Sequence, residues 1–76
     1  MRTDLKQIFL DVLDLDSISD DDSVETIKTW DSVRHLNLIL AIEERFGLTF
    51  EADEIPDLIS VRAISDALDR HAPQKA

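Results

Sequence analysis

Apolar residues recur at helical spacing in three separate blocks of this chain, and this periodicity constrains the fold more than any other feature. In the first block they stand at i, i+3, i+4, i+7 and i+8, the spacing of one helical face. Those residues are Leu5, Ile8, Phe9, Val12 and Leu13. The last block has a similar face, formed by Val61, Ile64, Ala67 and Leu68. With the middle block, the pattern predicts helices over about residues 3–13, 32–46 and 61–71.

The middle block differs from the other two because its apolar residues cover more than one face of the helix. They are Val33, Leu36, Leu38, Ile39, Leu40, Ala41, Ile42 and Phe46. A helix that is apolar on several faces is typically a buried one. We therefore expect the helix over residues 32–46 to be the most buried of the set.

The segments between the blocks predict one long loop and one short helix. Residues 14–31 have no sustained period and are rich in Asp and Ser, and their isolated apolar residues are expected to pin the loop across the helices. Residues 53–58 indicate a short helix that tolerates Pro56 in its first turn, and Ser60 is a candidate N-cap for the last helix.

The predicted fold class is therefore all-α. We expect a small four-helix bundle, with three main helices, one short helix and a long first loop. It forms a single domain of residues 1–76, in which the tail over residues 72–76 is expected to fray.

Length and composition narrow the class of function. A domain of about this size buries only roughly 60% of the surface that its unfolded chain exposes, which favours a binding or carrier module over an enzyme with an enclosed pocket. The net charge of -9 repels nucleic acid and anionic lipid, and attracts partners with basic patches.

The chain has no cysteine, which excludes disulfides and thiolate metal sites and suits a reducing cytoplasm. Any thiol chemistry of this protein therefore needs a sulfur from outside the polypeptide. The longest apolar run, residues 38–42, is far too short to span a membrane, and we expect a cytoplasmic monomer.

Residues 30–50 carry a resemblance to a known family. They contain Asp-Ser-Val at residues 31–33, where an apolar helix begins, and Glu-Glu-Arg-Phe-Gly at residues 43–47, where it ends. This resembles the central helix of acyl carrier proteins, which opens with Asp-Ser-Leu and ends in a Glu-Glu-x-Phe-Gly phrase. The short acidic helix followed by Ile-Ser-Val at residues 59–61 is similar to the family's approach to its last helix. The likeness covers nearly the whole chain.

The resemblance implies a carrier of acyl intermediates, and not an enzyme. A separate phosphopantetheinyl transferase would move 4′-phosphopantetheine from coenzyme A onto the Ser32 hydroxyl, and Asp31 would help that enzyme to recognise the site. The arm ends in a thiol that holds acyl groups as thioesters. The other implied partners are an acyl-loading ligase or acyltransferase and the downstream synthase enzymes of fatty acid or polyketide biosynthesis.

The cargo stays open at this point between acyl, hydroxyacyl, aminoacyl and aryl groups. An aminoacyl or peptidyl carrier with the same arm is therefore the nearest alternative function. The apolar interior of such a bundle is a candidate shelter for a short acyl chain, of a size that the sequence does not predict.

The early part of the middle helix departs from typical fatty-acid-synthesis carriers. Those carriers have glycine before the Asp-Ser pair, where this chain has Trp30, and leucine after it, where this chain has Val33. They also display acidic residues there, which dock on basic patches of their enzymes, whereas Arg34, His35 and Asn37 make these two turns neutral to basic. We expect Val33, Arg34, His35 and Asn37 to contact partners. The charge pattern of a surface decides which partners it binds. The neutral to basic start of this helix therefore predicts a specialised carrier with few dedicated enzymes in a secondary pathway.

Other interpretations of these residues predict different chemistry. Ser32 by itself is most simply an N-cap. His35 lies one turn further on and would make Ser32 a candidate nucleophile, but no oxyanion site or substrate pocket accompanies the pair, and His35 is expected to be a surface histidine.

A calcium-binding EF-hand is another interpretation of the acidic loop. An EF-hand register from Asp14 to Glu25 has Ser19 where the motif requires glycine, so we expect no metal site and a solvated acidic loop. An acidic interaction or divalent-ion-binding module without a prosthetic group is the alternative from a different class.

Overall fold

The computed structural model describes residues 2–71, so the expected fraying of residues 72–76 lies outside the described residues. Three α-helices and one short 3₁₀ helix follow one another in this part of the chain. They are α1 (Thr3–Val12), α2 (Ser32–Phe46), the 3₁₀ helix (Ile55–Asp57) and α3 (Val61–His71). Within residues 2–71 there is no strand, and Ser23 and Ser60 form an isolated antiparallel bridge. The all-α fold class is thus confirmed.

The short helix is smaller than its sequence predicts. The sequence predicts a helix over residues 53–58, whereas only Ile55–Asp57 are helical, and the helix is of the 3₁₀ type. Its backbone bonds span three residues, from the Asp57 N–H to the Glu54 carbonyl and from the Leu58 N–H to the Ile55 carbonyl. Pro56 supplies no N–H donor, and so short a segment cannot offset the cost of starting an α-helix. The end of α1 also differs by one residue, because Leu13 follows the helix as its C-cap.

Two polar contacts show that α1 and α2 run antiparallel. Arg45 at the end of α2 pairs with Asp4 at the start of α1, with Nη2 and Oδ1 3.4 Å apart. At the opposite end, Arg34 in the first turn of α2 donates from Nη1 to the Val12 carbonyl at 3.1 Å. The second contact places a cation at the negative end of the α1 dipole and satisfies a carbonyl that has no partner within the helix.

The core is built from all three helices and from the segments between them. Every buried residue in the described part of the chain is apolar, and each is at most 6% exposed. The set comprises Leu5, Phe9, Leu13, Ile27, Trp30, Leu38, Ile39, Ile42, Phe50, Leu58, Val61, Ile64, Ala67 and Leu68. Burial of one large apolar side chain stabilises a fold by about 1.5–3 kcal/mol, so each of these residues matters in a domain this small. No helix among the described residues is long and apolar enough to cross a bilayer.

The expectation that α2 is the most buried helix is wrong. Its 15 residues include three buried ones, whereas the 11 residues of α3 include four. Leu38, Ile39 and Ile42 form the inner face of α2, and the apolar residues on the other side of the helix face solvent. The reason is geometric: α1 and the rest of the core lie on one side of α2, and no described segment covers the other.

The long loop is held against the start of α3 by backbone bonds. The Val24 N–H donates to the Ile59 carbonyl and the Val61 N–H donates to the Asp22 carbonyl, both at 3.0 Å. The Ser60 side chain accepts from the Ala63 N–H at 3.0 Å, as its predicted capping role requires. This places the loop and residues 59–61 side by side, next to the start of α2.

Glu54 joins the 3₁₀ segment to the end of α3. Its Oε2 accepts from the Glu51 N–H at 2.7 Å and lies 2.6 Å from His71 Nε2, while Oε1 lies 3.5 Å from Arg70. The Glu51 N–H bond, helped by His71 and Arg70, lowers the pKa of the Glu54 carboxyl despite partial desolvation. A lowered folded-state pKa means that this carboxylate stabilises the fold while it is ionised.

We expect Glu54→Gln to flatten the acid limb of the stability profile. In the wild type, the contribution of Glu54 is fully present above the unfolded-state glutamate pKa of about 4.3. It is lost as the pH falls through the lower folded-state pKa. The Tm measured by circular dichroism should therefore fall more steeply between about pH 5 and pH 3 in the wild type than in the variant. Glu44→Gln, at an exposed glutamate of α2, is the matched control and should keep the wild-type slope. Equal slopes for the wild type and Glu54→Gln would contradict this account.

Candidate attachment site at the start of α2

Asp31 caps α2 and thereby determines which residue is the first of the helix. Its backbone is extended (φ -105°, ψ -174°), and its Oδ1 accepts from the Arg34 N–H at 2.9 Å. The Asp31 carbonyl accepts from the His35 N–H at 2.8 Å, which is the first bond of the helix. A carboxylate at this position also suits the positive end of the helix dipole.

Ser32 is therefore the first helical residue and not the cap. The interpretation of Ser32 as an N-cap is wrong, because the Asp31 side chain makes that bond. The Ser32 side chain is exposed, and its hydroxyl has no hydrogen-bond partner among residues 2–71. The N–H groups of Ser32 and Val33 are likewise unbonded within the described residues, as expected in the first turn of a helix. An exposed hydroxyl beside two unpaired N–H groups is a chemically suitable place for a phosphate ester.

Trp30 and His35 anchor the start of α2 from the inside. The Trp30 side chain is 4% exposed, and its ring packs edge-on against Phe9 of α1 with centroids 5.8 Å apart. Its Nε1–H donates to His35 Nδ1 at 3.0 Å, and His35 Nε2 lies 3.1 Å from the Ile55 carbonyl. Because the indole nitrogen can only donate, Nδ1 is the acceptor, and the proton of the neutral imidazole sits on Nε2 and points at Ile55.

His35 is not the surface histidine that the sequence predicts. It is half-buried, it stacks on Trp30 at 29° between the ring planes, and both of its ring nitrogens have partners inside the fold. Neither nitrogen is available to activate the Ser32 hydroxyl in this arrangement, so the pair lacks the nucleophile and base contact that a hydrolase requires. A helical projection gives the missed signal, since His35 shares the face of Leu38, Ile39 and Ile42.

The other residues expected to contact partners divide into two groups. Val33 is 67% exposed and Asn37 is exposed, so both are accessible on the outside of α2. Arg34 is half-buried, and its guanidinium is bonded to the Val12 carbonyl of α1. The structure thus leaves Val33 and Asn37 free for contacts and gives Arg34 and His35 roles within the fold.

Two leucines of α2 that the sequence predicts to be buried are exposed. Leu36 is 57% exposed and Leu40 is 62% exposed, and the helical period puts them on one side with Val33 and Asn37. We call these four residues the outer face of α2. The signal was present in the sequence, because positions 33, 36 and 40 follow a second apolar stripe opposite the buried one.

An open groove of about 360 Å³ lies beside Ser32. Its wall on the far side from α2 comes from the loop and from the segment before α3, through Val24 and the half-exposed Ile59. Asp31, Ser32, Trp30 and His35 complete the lining. The groove is therefore continuous with the candidate attachment residue and mainly apolar.

Two carboxylates of the long loop have partners within the loop or on α3. Asp22 accepts from the Ser19 N–H at 2.8 Å and from the Thr26 hydroxyl at 2.9 Å, while Asp21 pairs with Arg62 at 3.0 Å. Within the part of the chain that the structure describes, no group of three or more His, Asp or Glu side chains is arranged to hold a metal ion. The loop geometry therefore lends no support to an EF-hand interpretation.

Comparison with known proteins identifies the family. No protein-family model matches the chain, and no curated protein matches it. Among solved structures, it is similar to the solution NMR structure of a holo acyl carrier protein from Geobacter metallireducens. The two chains are 35% identical and superpose with a TM-score of 0.79, over 88% of this chain and 79% of that one. With the Asp-Ser start of α2 and the helix order described above, this similarity shows that the chain belongs to the acyl carrier protein family, whose members are carriers and not enzymes.

Proposed function

We propose that this protein carries acyl intermediates as thioesters on a 4′-phosphopantetheine arm joined to Ser32. The observation that carries the proposal is the state of the Ser32 hydroxyl, which is exposed and has no hydrogen bond within the described residues. It is not needed as a helix cap, because Asp31 makes the capping bond. The similar solved structure is a holo carrier, which supports a prosthetic group here. A cytoplasmic location, suited to a chain without cysteine, and a monomeric state belong to the same proposal.

The residues around Ser32 fit the proposed attachment. The Ser32 Oγ would form the new bond to phosphorus as the pyrophosphate bond of coenzyme A breaks. Adenosine 3′,5′-bisphosphate would leave with the electrons of that bond, and the hydroxyl proton would pass to a base of the transferase. That base must be external, because His35 is occupied by Trp30 and Ile55. The unbonded N–H groups of Ser32 and Val33 are placed to donate hydrogen bonds to the negatively charged phosphodiester. Once attached, the arm supplies a thiol, and its tether raises the effective concentration of the cargo near each enzyme.

The experiment that tests the attachment is an intact-mass measurement. The purified protein, incubated with coenzyme A, magnesium and a broad-specificity phosphopantetheinyl transferase, should gain the mass of one phosphopantetheine. Ser32→Ala should gain nothing, because the accepting oxygen is gone. Ser17→Ala removes another exposed serine from the long loop and should be modified like the wild type. A wild-type protein that keeps its helical circular dichroism spectrum and yet gains no mass would refute the proposal.

We propose that partner enzymes dock on the outer face of α2, beside the attachment residue. Val33, Leu36 and Leu40 are each more than half exposed. Single exposed apolar residues are ordinary, but these three form one stripe next to the proposed attachment site, which marks a candidate interaction surface. Within the described residues, Arg34 donates to the Val12 carbonyl and His35 accepts from Trp30. Their contribution to docking is therefore mainly to hold this face in place.

Leu36→Glu should weaken docking without weakening the fold. The side chain is exposed, so the Tm should stay within about 2 °C of the wild type. A charge within an apolar contact should raise the KM of the transferase for this protein about fivefold or more, the effect expected for an interface anchor. Gln7→Glu adds the same charge to the exposed side of α1 and should leave the KM unchanged. Equal KM values for the two variants would contradict docking on this face.

We further propose a specialised carrier with a small set of dedicated enzymes in a secondary pathway, loaded by a ligase or acyltransferase and served by its own synthase enzymes. The support is the charge of α2, which has no acidic residue in its first turn and whose carboxylates, Glu43 and Glu44, stand near its far end. Enzymes that bind acidic carriers through basic patches are expected to associate with this helix at a lower rate.

The corresponding assay is chain elongation by the enzymes of a fatty-acid synthase, with the holo protein supplied in place of their own carrier. We expect elongation to be at least about tenfold slower, as the loss of complementary charge predicts. Elongation at the rate of the native carrier would contradict a specialised role while leaving the attachment at Ser32 intact.

A further inference from the structure

Trp30 occupies the space between the attachment site and the interior of the fold. Its ring lines the groove beside Ser32, although only 4% of the residue is exposed. On its inner side it meets Phe9, with ring centroids 5.8 Å apart. The indole is therefore the floor of the groove, and the buried side chains of α1 begin directly behind it.

The indole is also held in place by hydrogen bonds. Its Nε1–H donates to His35 at 3.0 Å, and His35 in turn contacts the Ile55 carbonyl at 3.1 Å. The imidazole stacks on the indole, with centroids 6.1 Å apart and 29° between the planes. Moving Trp30 out of its position would give up the bond to His35, the contact with Phe9 and the burial of the largest side chain that lines the groove.

A cargo joined through Ser32 meets this floor before it can reach the core. Val24 and Ile59 offer an apolar wall on the surface side of the groove, but the groove is open, and at about 360 Å³ it stands at the lower end of ligand-sized pockets. Protein interiors are close-packed, so an alkyl chain can enter only where a side chain gives way. Near Ser32, that side chain is Trp30.

We propose that Trp30 is a specificity-determining residue that keeps the cargo out of the protein interior. The carrier is then suited to short or polar acyl groups that remain at the surface, and not to long alkyl chains that need shelter from water. This inference rests on the proposed attachment at Ser32. It narrows the cargo classes that the sequence leaves open, because small hydroxyacyl and aminoacyl groups tolerate solvent and long acyl chains do not.

The test compares carriers loaded with chains of different length. The transferase and acetyl-, octanoyl- or dodecanoyl-coenzyme A load the protein, and intact mass confirms each product before the measurement. The Tm values of the three forms should agree within about 1 °C, whereas a chain buried in the interior would raise the Tm by roughly 5 °C or more. Because Trp30 is the only tryptophan, its fluorescence emission should also be the same in all three forms.

Two variants separate the size of the indole from its hydrogen bond. Trp30→Leu opens space behind the groove, so its octanoyl form should be more stable than its acetyl form by roughly 5 °C. Trp30→Phe loses the bond to His35 but keeps a ring on the floor, and its Tm should stay independent of chain length. If Trp30→Leu does not fold, the wild-type series alone decides.

The outcomes distinguish this inference from the function on which it rests. A wild-type Tm that rises with chain length, or an emission maximum that shifts with it, would overturn the role of Trp30 while the measured mass upholds the attachment at Ser32. The absence of any mass gain would overturn both. A chain-length-independent wild type, together with a chain-length-dependent Trp30→Leu, is the supporting result.

Discussion

The contact between the Trp30 indole and the His35 imidazole joins four parts of the chain at one point. The indole ends the long loop and packs against Phe9 of α1, while the imidazole belongs to α2 and reaches the Ile55 carbonyl of the 3₁₀ helix. In a domain with so few buried residues, one large ring that touches several elements contributes a disproportionate share of the packing. Because Asp31 and Ser32 follow Trp30 directly, this ring also anchors the chain just before the cap of α2 and the exposed Ser32 hydroxyl.

The two sides of α2 do different physical work. Leu38, Ile39 and Ile42 pack into the core, while the outer face presents Leu36 and Leu40 to solvent beside the proposed attachment residue. An exposed apolar stripe costs solubility in a small protein, and the net charge of -9 offsets that cost. A carrier has to be recognised by several enzymes in turn, so a permanently exposed apolar face is more useful to it than a fully covered helix would be.

Three of the protein's carboxylates near the start of α2 and in the long loop have hydrogen-bond or ion-pair partners within the fold. In the long loop, Asp21 and Asp22 are bonded to Arg62, Ser19 and Thr26, and this order holds the loop against the start of α3. The Asp31 carboxylate caps the N-terminus of α2. The Ser32 hydroxyl next to this cap is uncharged and exposed.

The sequence by itself determined the features that depend on neighbours along the chain. The helical period located the three main helices, the Asp-Ser pair singled out the candidate attachment residue, and the phrase at residues 43–47 led to the family. Tertiary structure alone decided which apolar face of α2 is covered, because periodicity describes a helix and does not say what packs against it. It likewise turned His35 inward to meet Trp30, shortened the helix around Pro56, and placed the Trp30 ring beside Ser32. Each of these depends on contacts between residues brought together from separate segments, such as Phe9, Trp30 and Ile55, and no local pattern encodes them.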